Sequence, residues 1–193
     1  GFGPLLLQGT WMTIKLSVLS LLVAVLLGLL GASAKLSASR LLRIPAQCYT
    51  TLIRGVPDLV LMLLIFFGGQ VAVNHIALAL GHEDYIDIDP YVAGVLTIGF
   101  IFGAYLTEAF RGAFLAVPAG QKEAAVACGF TPWQVLWRIV GPQMLRHALP
   151  GLSNNWLVMI KATALLSIIG LDDMVHRANL ASEATREPFT FYA

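Results

Sequence analysis

The chain has 193 residues, of which 58% are hydrophobic and 12% charged, with a mean hydropathy of +0.78. Soluble domains carry about 25% charged residues, so a soluble globular fold is excluded and an all-helical membrane protein is expected. The formal net charge of +1 is uninformative alone, and its distribution is the informative quantity; no nucleic-acid partner is expected.

Four stretches are long enough to cross the roughly 30 Å hydrocarbon core, which takes about 20 apolar residues: about 13–34, 57–80, 91–117 and 148–171. In the first, Lys15 lies near the outer edge and snorkels to the headgroups. Lys15, the apolar run and Ala32-Ser33-Ala34 also mimic a secretory signal with its cleavage site. The basic residues after Ala34 favour an uncleaved span. The first connection carries Lys35, Arg40, Arg43 and Arg54, with no acid before Asp58. The second has the opposite character: Glu83, Asp84, Asp87 and Asp89, and no Lys or Arg. The third carries Lys122, Arg138 and Arg146, with Arg111 at its boundary and Glu123 as its one acid. Basic connections stay in the cytoplasm. The N-terminus and the acidic loop are therefore expected outside, and the first and third connections inside. Cys48 and Cys128 both fall inside, where thiols stay reduced. The closing run Phe189-Thr190-Phe191-Tyr192-Ala193 reads as the start of a further span, so four spans and a missing fifth are expected of one domain covering 1–193.

The third connection, 118–142, has its own helical grammar. Pro118 suits a first helical turn, and a helix can run over 121–128 until Gly129, which tolerates the left-handed conformation past a helix end. Thr131-Pro132-Trp133-Gln134 restarts it, with Thr131 as N-cap, Pro132 first in the helix and Gln134 reaching back as a capping box. Pro142 should end or kink that second helix. One reading of this helix-turn-helix is an interfacial linker with Trp133 and Trp137 at the headgroups. The other is a docking surface, since Glu123-Ala124-Ala125 offers a small, flat helix face with one charge.

Glu123-Ala124-Ala125, then Gly129, Ile139 and Pro142, resembles the signature loop of ATP-binding-cassette importer permeases. The run Tyr49–Leu59 is similar to the entry of the second span in the polar amino-acid permeases of that class. Gly103–Gly112 is similar to their third span, and Asn154-Asn155-Trp156 through Lys161–Leu165 to their fourth. The resemblance covers nearly the whole chain. It implies the type I importer fold with a fifth helix, and a multi-pass location in a bacterial inner membrane. The implied partners are a second permease, ATP-binding-cassette ATPase subunits and a periplasmic amino-acid-binding protein, with lipid around the spans. The implied cargo is a polar, cationic amino acid of the histidine, lysine, arginine and ornithine type. It also implies that Glu123, Ala124, Ala125, Gly129, Thr131, Ile139 and Pro142 couple to the ATPase. Asp172 and Asp173 would meet the binding protein. Two departures stand out. Gly141 occupies the position before the proline where the family usually has Leu. Asn155 and Ala162 stand where related permeases often carry carboxylates, which implies a heterodimer whose second permease supplies the acid for a cationic side chain.

Inside the fourth span, Lys161 would lie near mid-membrane, where a charge is expensive unless paired or hydrated. At 100° per residue, Gly151, Asn154, Asn155, Lys161 and Ala162 share one arc. Asn154, Asn155, Lys161 and Thr163 are candidate walls of a substrate path; the competing reading has Lys161 bonding within the bundle. Arg54 with Asp58, and Glu108 with Arg111, are candidate boundary ion pairs, either local or parts of a gate; Pro57 disturbs the first. His75, His82, His147 and His176 lack metal-ligand spacing, so no metal is expected. No Gly-x-x-x-x-Gly-Lys-Ser/Thr run exists to cradle phosphates. The chain is expected to be no enzyme and to hold no cofactor, ATP being bound by a partner. The alternatives are a self-contained channel or secondary transporter, which does not need the cytoplasmic insert, and a recruiting scaffold, which leaves Lys161 unexplained.

Overall fold

In the computed structural model, residues 3–82, 84–169 and 182 are described. Every element among them is helical. They are α1 (Gly3–Leu36), α2 (Arg40–Arg54), α3 (Asp58–Ala79), α4 (Pro90–Leu115), α5 (Ala119–Ala127), the single turn α6 (Pro132–Gln134), a π-helical stretch Val135–Val140, α7 (Gly141–Thr163) and a 3₁₀ segment Ala164–Ile169. Asp172, Asp173, His176 and the run Phe189–Ala193 lie outside the described residues.

Three described helices are long and apolar enough to cross a membrane: Leu7–Leu36, Asp58–Ala79 and Pro90–Leu115. They match the first three expected spans. The fourth differs, because its helix begins at Gly141 instead of residue 148. Gln143, Arg146, Asn154, Asn155 and Lys161 lie along it, and such a semi-polar helix is stable in a membrane only when packed against others. The first basic connection, read from sequence only as charge, is itself the helix α2.

Helix α4 is the centre of the bundle and packs against α1, α2, α3 and α7. Ile98, Ile101, Phe102, Ala104, Leu106 and Thr107 are all buried on it. Its closest neighbour is α1, and the reason is legible in residue size. Ser20, Ala24, Gly28 and Ala32 recur every four residues on α1, opposite Gly99, Gly103 and Thr107 on α4. A Cβ added at Gly28 would come 2.7 Å from the Leu106 Cβ, and one at Gly103 would come 2.8 Å from the Leu27 Cβ. Lipid tails are as apolar as leucine, so helix association in a bilayer rests on close van der Waals packing, which small residues allow. Thr107 satisfies its hydroxyl on the Gly103 carbonyl at 2.8 Å. Trp156 of α7 donates to the Ser17 hydroxyl of α1 at 2.9 Å, closing the third side.

The acidic loop is held by two amides of α3. Asn74 accepts from the Ile86 N–H at 2.8 Å and donates to its carbonyl at 3.0 Å, while Gln70 accepts from the Ile88 N–H at 3.0 Å. Asp89 then caps α4, accepting from the Tyr91 and Val92 N–H groups at 2.8 and 3.0 Å, with Pro90 in the first turn where no N–H is needed.

Candidate functional site

The loop 118–142 folds as a small hairpin with its own core. Pro118 is one residue earlier than expected, preceding α5 and leaving Ala119 as the first helical residue. The helix ends as its glycine dictates. Gly129 has φ +82°, the Phe130 N–H reaches the Ala125 carbonyl at 3.1 Å, and the Gly129 N–H reaches the Val126 carbonyl at 2.9 Å. This is the doubly bonded left-handed stop. Thr131 then caps the next turn. Its backbone N–H donates to the Gln134 side chain at 2.9 Å, and its hydroxyl accepts from the Gln134 N–H at 3.4 Å, completing the capping box.

Pro142 does not end the second helix. The π stretch Val135–Val140 runs directly into α7, with Pro142 in the first turn of α7. The change of register absorbs the missing N–H: the Gly141 N–H bonds back to the Leu136 carbonyl, five residues away. Gly141, the departure from the family pattern, fits this point. A Cβ there would lie 3.0 Å from the Leu136 oxygen.

The signature residues divide by face. Ala125 is buried with Val117, Val135 and Val140, and the half-buried Ile139, Phe130 and Phe114 pack on them. Glu123, Ala124, Gly129, Thr131 and Pro142 are exposed. Lys122 lies 4.0 Å over the Phe114 ring, leaving Glu123 as the carboxylate of an outward helix face. Trp133 and Trp137 are exposed and meet edge to face at 5.5 Å.

A second cluster sits where α1, α2 and α4 meet. Glu108 accepts from Arg111 at 3.1 Å, as the sequence spacing suggests, and also pairs with Lys35, which no local spacing reveals. The Lys35 ammonium also donates to the Thr50 hydroxyl at 2.9 Å. The Lys35 side chain is only 5% exposed, so Glu108 neutralises a charge that would otherwise be buried alone. The expected pair Arg54–Asp58 does not form. Tyr105 stands between them, donating to Asp58 at 3.1 Å, with the Arg54 guanidinium 5.7 Å over its ring. The physical reason is the break at Gly55–Pro57, which puts Asp58 at the start of a new helix. A cavity of about 470 Å³ opens here, lined by Lys35, Gln47, Arg54, Tyr105, Glu108 and Arg111 among others. The sequence reading missed Lys35, Thr50, Tyr105, Gln70 and Asn74 as a group. A usable signal did exist: a lysine and a glutamate at the same depth of two apolar helices each require a partner.

The candidate path residues of α7 are not brought into one site within this chain. Asn154 and Lys161, seven apart, are exposed on one face. Asn155 is half-buried and turns its amide back onto the Gly151 carbonyl at 2.8 Å. Thr163 is buried, donating to the Ile160 carbonyl at 2.6 Å.

Residues 24–193 match the family model described as binding-protein-dependent transport system inner membrane component. The chain is 57% identical to the histidine/lysine/arginine/ornithine transport system permease protein HisQ of Salmonella typhimurium, over 99% of this chain and 83% of the relative. It is 44% identical to the nopaline transport system permease protein NocQ of Agrobacterium fabrum, over 100% and 82%. Its fold is similar to the crystal structure of an amino acid ABC transporter with histidines, at a TM-score of 0.81 and 33% identity, covering 98% of this chain and 83% of that one.

Proposed function

The chain belongs to the binding-protein-dependent transport system inner membrane components and is a membrane-spanning permease subunit of an amino-acid ABC importer; on that premise we propose that its cargo is a cationic amino acid and that the 118–142 loop transmits the ATPase stroke. Hydrolysis belongs to a partner ATPase, and the permease itself is not a catalytic subunit. The N-terminus and the acidic loop face outward, where a periplasmic binding protein delivers cargo, and the 118–142 loop faces the cytoplasm. A second permease supplies the carboxylate that Asn155 and Ala162 do not, and Asn154 and Lys161 line this subunit's share of the path.

The observation that carries the reading is the outward face of Glu123 and Ala124 on a hairpin whose turn is closed by hydrogen bonds at Gly129 and Thr131. A lever must not bend where force enters it. The doubly bonded stop and the capping box supply that stiffness, and Ala125 and Ile139 anchor the hairpin to α4 and α7 through Phe114 and Met144. The small side chains of Ala124 and Ala127 let a groove close on the backbone, and Glu123 provides one charged contact for orientation.

The test uses the full-length protein co-expressed with its neighbouring permease and ATPase. Glu123→Arg is expected to abolish ATPase co-purification while leaving the permease in the membrane fraction. Undiminished recovery of the ATPase would place the grip elsewhere. With coupling established, uptake of labelled arginine, lysine and histidine against a neutral amino acid tests the cargo class, and equal uptake of all four would refute the cationic preference.

A further inference from the structure

Helix α2 packs on α1 and α4 where Lys35 and Glu108 meet. Lys35, one residue from the end of α1, bonds Thr50, and Arg54, one turn further along α2, stacks on Tyr105, one turn from Glu108. The C-terminal half of α2 therefore packs beside the last third of α4. Pro90 begins α4, and at 1.5 Å per residue Glu108 lies ~27 Å further along it. This is close to where a roughly 30 Å hydrocarbon core ends. At 15 residues α2 is ~22 Å long, too short to span but long enough to lie along that boundary.

Its three faces suit such a position. Ala46, Thr50 and Ile53 are buried on the bundle. Leu41, Ile44 and Leu52, which are 87%, 57% and 64% exposed, fall on a second, outward apolar arc at 100° per residue. Arg40, Arg43, Gln47 and Arg54 share the remaining arc, all exposed, and no acid occurs between Lys35 and Asp58. The Tyr49 hydroxyl, on the apolar side, reaches up to the Phe100 carbonyl in the middle of α4, which orients the apolar arcs toward the membrane interior and the arginines away from it.

We propose that α2 is an interfacial helix that holds anionic phospholipid headgroups on Arg40 and Arg43, with Leu41, Ile44 and Leu52 seated among the adjoining acyl chains. The assignment to the cytoplasmic leaflet rests on the orientation proposed above; the lipid chemistry does not. Charge complementarity selects this occupant over a protein helix. Arg40 and Arg43, with no ion pair among the described residues, beside an exposed apolar arc match the boundary between an anionic headgroup layer and its acyl chains.

The experiment uses the full-length permease with its partner subunits in nanodiscs of phosphatidylcholine containing one-third phosphatidylglycerol. Native mass spectrometry after mild delipidation counts retained phosphatidylglycerol. Arg40→Gln with Arg43→Gln is expected to weaken retention on the order of 30-fold, from about 1 kcal/mol per basic residue at an anionic surface, and Arg40→Lys with Arg43→Lys to preserve it. Equal retention by the native and glutamine forms overturns the proposal. Should the glutamine form fail to assemble, a photo-cross-linking residue at Leu41 in the otherwise native chain decides: a phospholipid adduct supports the proposal, and a protein adduct overturns it. The leaflet is read separately. Arg40→Cys, with Cys48 and Cys128 replaced by Ser, is labelled with an impermeant maleimide in sealed vesicles. Labelling from the outer side alone refutes the orientation and leaves the lipid contact to the retention assay.

Discussion

The α1–α4 seam and the 118–142 hairpin are both built on small residues, and the physics that makes small residues useful differs completely between them. In the seam, Gly28, Gly99 and Gly103 remove side-chain volume so that two apolar helices can touch along their backbones. No hydrophobic gain exists there, and close contact does most of the holding, with the Lys35–Glu108 pair at one end. In the hairpin, a Cβ at Gly129 would meet nothing, but the residue stands at φ +82°, a conformation costly for any residue with a side chain. One glycine is chosen for space and the other for an angle. The bundle and the hairpin of one chain therefore fail differently when the same residue type is changed.

That contrast can be broken first at the Lys35–Glu108 end of the seam. Glu108→Ala leaves Lys35 buried without its carboxylate, with an expected loss of about 3 kcal/mol, the low end for a broken buried pair because Arg111 is partly exposed. Thermal unfolding in detergent measures it. Adding Lys35→Met should recover most of the loss; no recovery would mean that Glu108 stabilises through Arg111 alone. Next comes Gly103→Leu, which must displace Leu27 and the Tyr49 hydroxyl and should cost about 2 kcal/mol by overpacking, lowering the unfolding temperature of the whole bundle. In the hairpin, Gly129→Ala should cost about 1 kcal/mol. It should appear as faster hydrogen exchange over 119–134 and weaker ATPase recovery, with the bundle's unfolding temperature unchanged. The smallest effect is Thr131→Ala, about 0.5–1 kcal/mol for a lost N-cap, confined to amide exchange over Trp133–Val135. A hairpin substitution that unfolded the bundle as strongly as Gly103→Leu would erase the distinction.

The hairpin was largely legible in advance because its rules are local. Gly129 as a left-handed stop and Thr131 with Gln134 as a capping box follow from residues three or four apart, and both stand as the sequence implies. Pro142 does not end the second helix, for an equally physical reason. The expectation assumed α-helical register, in which a proline breaks a bond; a π turn places Gly141 on the Leu136 carbonyl and leaves the proline in a first turn, where nothing is lost. Arg54 and Asp58 obeyed the proline rule and separated, with Tyr105 from another helix filling the gap.

Length and hydropathy by themselves determined that the chain lives in a membrane and where its first three spans run, because crossing a hydrocarbon layer imposes a minimum apolar length on the local sequence. Spacing alone determined the caps and stops of the hairpin, since those bonds close within one turn. Only the tertiary structure decided that Lys35 meets Glu108, that Tyr105 parts Arg54 from Asp58, that Gln70 and Asn74 clasp the acidic loop, and that the basic connection holds a helix packed on α1 and α4. Those pairings depend on the depth and angle at which helices far apart in the chain cross, and no rule of local spacing carries that information.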